Sequence, residues 1–172
     1  MRDQIRLTDD EIAAFLEAPR KLQLATLNGD GSPHLSTMFY AMVDDRVAFW
    51  TYRKSQKAVN LIRDPRVAVL VEDGMAYEEL AGVSITGTAE HVTDPDRIRA
   101  IGRAVYVRYI GNPDDPHLDG FLDHQVQRRD GFIIHPETTA SWDHAKLAAG
   151  HTPSGAAGAG ETQPSTAEGA NA

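Results

Sequence analysis

RVAFWTYRKSQKAVNLIRDPRVAVLV, residues 46–71, is the stretch on which the reading of this chain turns. From Val47 to Thr51 the residues are apolar, aromatic or β-branched, the composition of a strand. Arg53 and Lys54 then make a basic corner. Ser55 opens a helical pattern, with a hydroxyl suited to accept an otherwise unpaired backbone N–H. Ala58, Leu61 and Ile62 would form the buried face of that helix. Pro65 forbids its continuation and biases Asp64 away from the helical region. Val67 to Val71 is a short, nearly uninterrupted apolar run, consistent with a strand buried on both faces. Strand, basic corner, helix and strand form one unit, and the chemistry is expected there.

Working outward toward the N-terminus, Arg46 to Tyr52 is preceded by Asp44-Asp45, a turn, and His34 to Val43 reads as one returning strand. Asn28-Gly29-Asp30-Gly31 supplies hairpin residues that tolerate positive φ, and Lys21 to Leu27 alternates Leu22 and Leu24 with polar neighbours. Three strands joined by short turns imply an antiparallel meander. Thr8-Asp9-Asp10-Glu11 has capping-box spacing, which predicts a helix over 9–18 with Ile12, Phe15 and Leu16 on one face and Pro19 at its end.

Toward the C-terminus, Glu72-Asp73-Gly74 breaks the chain before a long strand from Leu80 to Val92, with Gly82 and Gly87 as bend or bulge positions. Asp94-Pro95 starts a helix over 96–109, carrying Ile98, Ile101, Val105 and Tyr109 near one face. A loop rich in Asp, Pro and Gly covers 111–120, followed by a weaker helix over 118–128. Gly131–His135 and Thr138–Asp143 read as two short strands interrupted at Pro136. About seven strands with few helices suggest a closed or partly closed antiparallel barrel over residues 1–147. From 148 to 172 the sequence is almost free of large apolar side chains. Such a tail cannot bury enough surface to offset its ordering entropy and is expected to be disordered.

The 172 residues suit one domain with a real core. No apolar run approaches the roughly 18–20 residues of a membrane span, and MRDQIRLTDDE lacks a signal-peptide core, so a cytoplasmic location is expected. With no cysteine there are no disulfides or thiolates, and a net charge of −8 argues against a general nucleic-acid binder. Arg53, Lys54 and Lys57 concentrated in an acidic chain suit a small anionic ligand, or simply a solvated corner. The opening of a helix at Ser55 favours the ligand, since free N–H groups and the helix dipole attract phosphate. Trp50 could wall a planar ring or pack in the core. Ser36 and Thr37 could pair with a ligand or face water. The seven histidines show no i,i+4 helical pair, so no metal site is expected, and no nucleophile or paired carboxylates can be recognised. A binding place for a phosphorylated planar ligand without an acid, base or nucleophile is the pattern of cofactor chemistry.

These residues resemble a known family. FWTYRKSQKAVNLIRDPRVAVLV is similar to the cofactor-binding segment of the pyridoxamine 5′-phosphate oxidase-like superfamily. LATLNGDGSPHLSTMFY resembles that family's first hairpin, VSITGTAEHV its later strand, and SWDHAKL the closing signature of flavin- or deazaflavin-dependent oxidoreductases. The resemblance implies a mainly β split barrel with flanking helices, usually a homodimer with cofactor at the subunit interface. It implies that Leu35, Ser36, Thr37, Met38 and Tyr40 lie on the strand lining the cofactor, and that Trp50 and Thr51 flank the ring. Ser55, Gln56 and Lys57 would form the phosphate corner, with Asn60 on the same helix and Trp142 reaching the site from the partner subunit. Namesake oxidases carry an Arg-Lys pair where this chain has Gln56-Lys57, and they end in a substrate-binding extension. Positive charge at Arg53 and Lys54 instead fits a longer anionic tail, such as that of the deazaflavin coenzyme F420, whose C5 exchanges a hydride with a conjugated organic substrate. FMN is the alternative cofactor, and a non-enzymatic flavin or haem-related binding module the alternative role. Loops 73–80 and 110–130 would border the pocket.

Overall fold

The computed structural model describes residues 2–18 and 20–149. The expectations for Pro19 and for the tail from residue 150 onward lie outside them. Seven strands form one sheet: β1 (Leu22–Leu27), β2 (Pro33–Met38), β3 (Ala41–Val43), β4 (Arg46–Tyr52), β5 (Arg66–Asp73), β6 (Ala81–Val92) and β7 (Arg129–Asp143). Their order is β2-β1-β5-β6-β7-β4-β3, and every pairing is antiparallel. Five α-helices flank it: α1 (Asp9–Glu17), α2 (Gln56–Arg63), α3 (Pro95–Ile110), α4 (Leu118–Val126) and α5 (Ala145–Ala149).

β2 and β3 lie at opposite edges of the sheet, yet only Phe39 and Tyr40 separate them in the chain. A link from Met38 to Ala41 spans at most roughly 11 Å. The sheet must therefore curl until its two edges meet, which makes it a split barrel. The expected meander is corrected here. The segment 34–43 is two strands: β2 pairs with β1, and β3 with β4. Tyr40 forces the break. Its side chain is fully buried, its hydroxyl donates to Leu16 O at 2.9 Å, and its ring lies 4.3 Å from the Arg108 guanidinium.

Alternation along β4 divides the core. Val47 and Phe49 face the barrel interior with Leu22, Leu24, Val69, Ile85 and Phe132, and the Phe49 and Phe132 rings stack at 5.4 Å. Ala48 and Trp50 face the other way, against Ile98, Ile101 and Val105 of α3 and Leu118 and Leu122 of α4. β4 is thus covered on both sides. β5, for which that was expected, is not: Val67, Val69 and Val71 are buried while Ala68 and Leu70 are half-buried, since among the described residues no helix packs extensively over its outer side.

Local signals place several boundaries. Thr8 and Glu11 form the reciprocal capping box, with Thr8 N donating to Glu11 Oε2 at 2.7 Å. Asp44 and Asp45 adopt φ of 50° and 59° in the β3–β4 turn. Asp94 caps α3, Pro95 is its first residue, and Gly111 ends it at φ 82°. β7 is one strand rather than two: it passes through Pro136 with a bulge opposite Thr86 and Gly87. A Cβ on Gly87 would sit 2.1 Å from His135 O, so the bulge requires glycine there. On α2, Asn60 rather than Ile62 joins Ala58 and Leu61 on the buried side, and Ile62 is half exposed.

Candidate cofactor site

β4 delivers the chain to the basic corner, and a tight turn, Ser55 N to Tyr52 O at 2.9 Å, starts α2. Ser55 stands at the N-cap, but its hydroxyl makes no capping bond. It lies instead 3.2 Å from Thr51 Oγ1, at the buried end of β4. The expected side-chain cap is therefore absent. The first turn of α2 keeps backbone N–H groups without a side-chain partner, holds no acidic residue, and carries Lys57. A cation at this position opposes the helix dipole by a few tenths of a kcal/mol, a cost that an anion between them removes. Among the described residues, neither Lys54 nor Lys57 enters an ion pair.

The rest of the helix is tied to the barrel. Gln56 Nε2 donates to Asn60 Oδ1 at 2.9 Å, and the fully buried Asn60 amide donates to Thr26 Oγ1 at 3.0 Å and Asn28 Oδ1 at 3.1 Å. Asn60 thus anchors the corner to β1, with its amide already engaged. Arg53 turns away from the helix. Its Nε donates to Asp130 Oδ1 at 2.7 Å and its terminal nitrogens to the carbonyls of Gln127 and Arg129. Asp130, 3% exposed, also meets His91 Nε2 at 2.8 Å. Burial pushes the Asp130 carboxyl up, but hydrogen bonds from Arg53 and His91 outweigh it and leave the group below its ordinary value.

β2 reaches this corner through β1. Thr26, which accepts from Asn60, pairs with His34, and Leu24 with Ser36. Ser36 and Met38 share the inward side with Leu24 and Leu22, while Leu35 and Thr37 face outward. Thr37 donates to Gln23 Oε1 at 2.9 Å. Ser36 Oγ is shielded from water and has no hydrogen-bond partner, an open valence on the strand beside the corner.

The geometry thus gathers Thr51, Ser55, Gln56, Lys57 and Asn60, with Lys54 exposed at the entry. It does not gather all the expected residues. Tyr40 is committed to α1, and Trp50 lies against α3, where a Cβ on Gly102 would be 2.4 Å from its ring. Trp142, expected at the site from the partner subunit, lies on Gly82 across the β6–β7 pair of its own chain, so Gly82 admits an indole rather than forming a bulge. Asp130, His91, Thr26 and Asn28 support the site and were not expected. The one local signal was an acid between Arg128-Arg129 and the apolar run 131–134. Among the described residues no three His, Asp or Glu side chains are placed to hold a metal, and no helix is long and apolar enough to cross a membrane.

The family profile described as pyridoxamine 5′-phosphate oxidase matches residues 8–143. This chain belongs to that family. Within the pyridoxamine 5′-phosphate oxidase family, the chain is 30% identical over 92 residues to the pyridoxine/pyridoxamine 5′-phosphate oxidases of Cupriavidus taiwanensis and Cupriavidus necator. Those matches take in 53% of this chain and 42% of each oxidase, so the chain spans less than half the length of these relatives. A crystal structure of a conserved hypothetical protein from Mycobacterium tuberculosis is 42% identical, with a TM-score of 0.82 over 91% of this chain and 98% of that one. A structure described as F420 reductase is 26% identical, with a TM-score of 0.58 over 74% of this chain and 94% of that one. A haem-binding protein from Mycobacterium smegmatis, at 18% identity, shares the fold. Three features of the family's barrel here fit a phosphorylated cofactor: the uncapped N-terminus of α2, Lys57 in its first turn, and the unpartnered Ser36 hydroxyl.

Proposed function

We propose that this chain is an oxidoreductase that moves a hydride between the deazaflavin coenzyme F420 and a conjugated small organic molecule, working as a homodimer. The observation that carries the reading is the first turn of α2: free N–H groups, Lys57, and no acid or side-chain cap. Such a terminus holds a phosphate by dipole and charge together. When bound, the cofactor supplies the hydride chemistry. The protein's part is to bind and orient. Lys57 and the α2 amides neutralise the phosphate, the Thr51–Ser55 hydroxyl pair lines its approach, and Ser36 offers one hydroxyl to the cofactor from β2. Among these groups none is an evident acid or base, which agrees with chemistry residing in the cofactor.

Support for F420 over FMN comes from Gln56, where namesake oxidases carry arginine, from Lys54 beyond the phosphate corner, and from the likeness to an F420 reductase. Arg53 adds nothing to that argument, since Asp130 neutralises it. FMN is the second reading, favoured by the family itself: one lysine and a helix terminus suffice for a single phosphate. A homodimer is supported by Leu35 of β2, 72% exposed, and by Val59 and Ile62 of α2, both about half exposed; a second copy would cover them.

Absorbance and mass spectrometry of the purified protein, followed by titration with F420 and FMN, test the cofactor. Lys57→Ala should weaken cofactor binding roughly ten- to hundredfold, the range of a charge-assisted hydrogen bond, while changing turnover at saturating cofactor much less. Unchanged affinity would overturn the phosphate corner.

A further inference from the structure

A second cleft, of about 480 Å³, lies on the opposite side of β4 from the barrel interior, between the end of β2 and helices α3 and α4. Trp50 is its floor, seated against α3 because Gly102 has no side chain to hold the indole off. Phe39 and Tyr109, with ring centroids 4.5 Å apart, form one wall. Phe121, 6.3 Å from Trp50 and 5.7 Å from Tyr106, forms the other. Phe39 is 54% exposed and Phe121 40%, so two aromatic rings stand in water around an aromatic floor.

Among the described residues, the one charged group lining this cleft is Arg129. Its guanidinium carbon lies 4.9 Å from the Trp50 ring centroid and 4.1 Å from that of Tyr52, and its Nε donates to Gln125 Oε1 at 2.8 Å. In a chain of net charge −8, several arginines are taken up by carboxylates, among them Arg53 by Asp130 and Arg99 by Asp119. Arg129 has no carboxylate partner, and its two terminal nitrogens make no hydrogen bond, among the described residues. An arginine fixed at one nitrogen with the terminal pair free presents the fork that a carboxylate fits with two parallel bonds.

We infer that this cleft binds a planar aromatic carboxylate, its ring system between Phe39 and Phe121 over Trp50 and its carboxylate on Arg129. The volume lies within the range of small-molecule sites, and an apolar lining with one orienting charge is their usual composition. That the acid is the substrate rests on the oxidoreductase reading above; that it binds here does not.

Calorimetric titration of the full chain without cofactor, using naphthoate and the isosteric neutral naphthamide, tests this. Naphthoate should bind saturably and at least tenfold more tightly than naphthamide. Arg129→Gln should bring naphthoate down to the naphthamide level, and Phe121→Ala, at a partly exposed position, should weaken both. Lys57→Ala should leave naphthoate binding intact, so failure of the cofactor corner and failure of the cleft are separable. Absence of saturable binding, an Arg129→Gln protein with the same preference for the acid, or loss of naphthoate binding in Lys57→Ala would each overturn the inference.

Discussion

Asp130 shows how much one buried residue contributes to the corner. It binds Arg53 and His91 at once while itself shielded from water, so both side chains have their positions set by the same carboxylate. Removing that charge leaves Arg53 without its ion-pair partner. Breaking a fully buried pair costs about 3–5 kcal/mol. Arg53 is half exposed, so solvent screening reduces the expectation for Asp130→Asn to about 1–3 kcal/mol. The pH dependence has a definite sign. The carboxyl's folded-state pKa lies below its ordinary 3.8. Its contribution is therefore present above pH 3.8 and lost as pH falls through the lower folded value. Urea unfolding at neutral pH and near pH 3 should show a larger acid loss in the native protein than in Asp130→Asn. Equal losses would remove Asp130 from this role. Tyr40 is perturbed in the other sense: burial drives its phenol to about 12, against the opposing charge of Arg108. It stays neutral and keeps its bond to Leu16 across ordinary pH.

At the scale of elements, α2 forgoes a side-chain cap at the end where the phosphate is proposed to sit. A good cap was available at Ser55, yet the hydroxyl turns to Thr51 and the first-turn amides stay open. Ser55→Asp should separate the two demands. A carboxylate at the N-cap satisfies an amide and favours the dipole, adding about 0.5–1 kcal/mol of stability. The same carboxylate would repel an anionic cofactor and weaken its binding at least tenfold. Thermal melts and cofactor titration of one variant measure both. A stabilised protein with undiminished cofactor affinity would show that the phosphate sits elsewhere. Asn60 ties the helix to the barrel wall, its amide donating to Thr26 and Asn28.

For the whole molecule, the curled sheet brings its edge strands β2 and β3 together and leaves large apolar side chains outside. Leu35 is the most exposed on the sheet, at 72%. In the proposed homodimer it is covered, and Leu35→Asp should shift the protein to monomer in sedimentation velocity, with the barrel's circular dichroism intact. A native protein that is already monomeric at micromolar concentration would remove the dimer from the proposal.

The sequence by itself determined what depends on near neighbours. The capping box of Thr8 and Glu11, the turn at Asp44-Asp45, the Asp94-Pro95 start of α3 and the span of β4 each follow from residues a few positions apart, where backbone geometry is decided by local hydrogen bonds and rotamers. Family resemblance added the expectation of a phosphate corner, whose motif is contiguous. The tertiary structure alone decided which strands pair, because the same apolar alternation in 34–43 is satisfied by a neighbour on either side, and only the burial of Tyr40 breaks the tie. It decided that Arg53 pairs with Asp130, 77 residues away. It also assembled the Trp50 cleft from three strands and two helices that no motif connects. Charge and shape can be read in a line of residues; which charge meets which, and which face is covered, is settled by long-range burial once the sheet has closed.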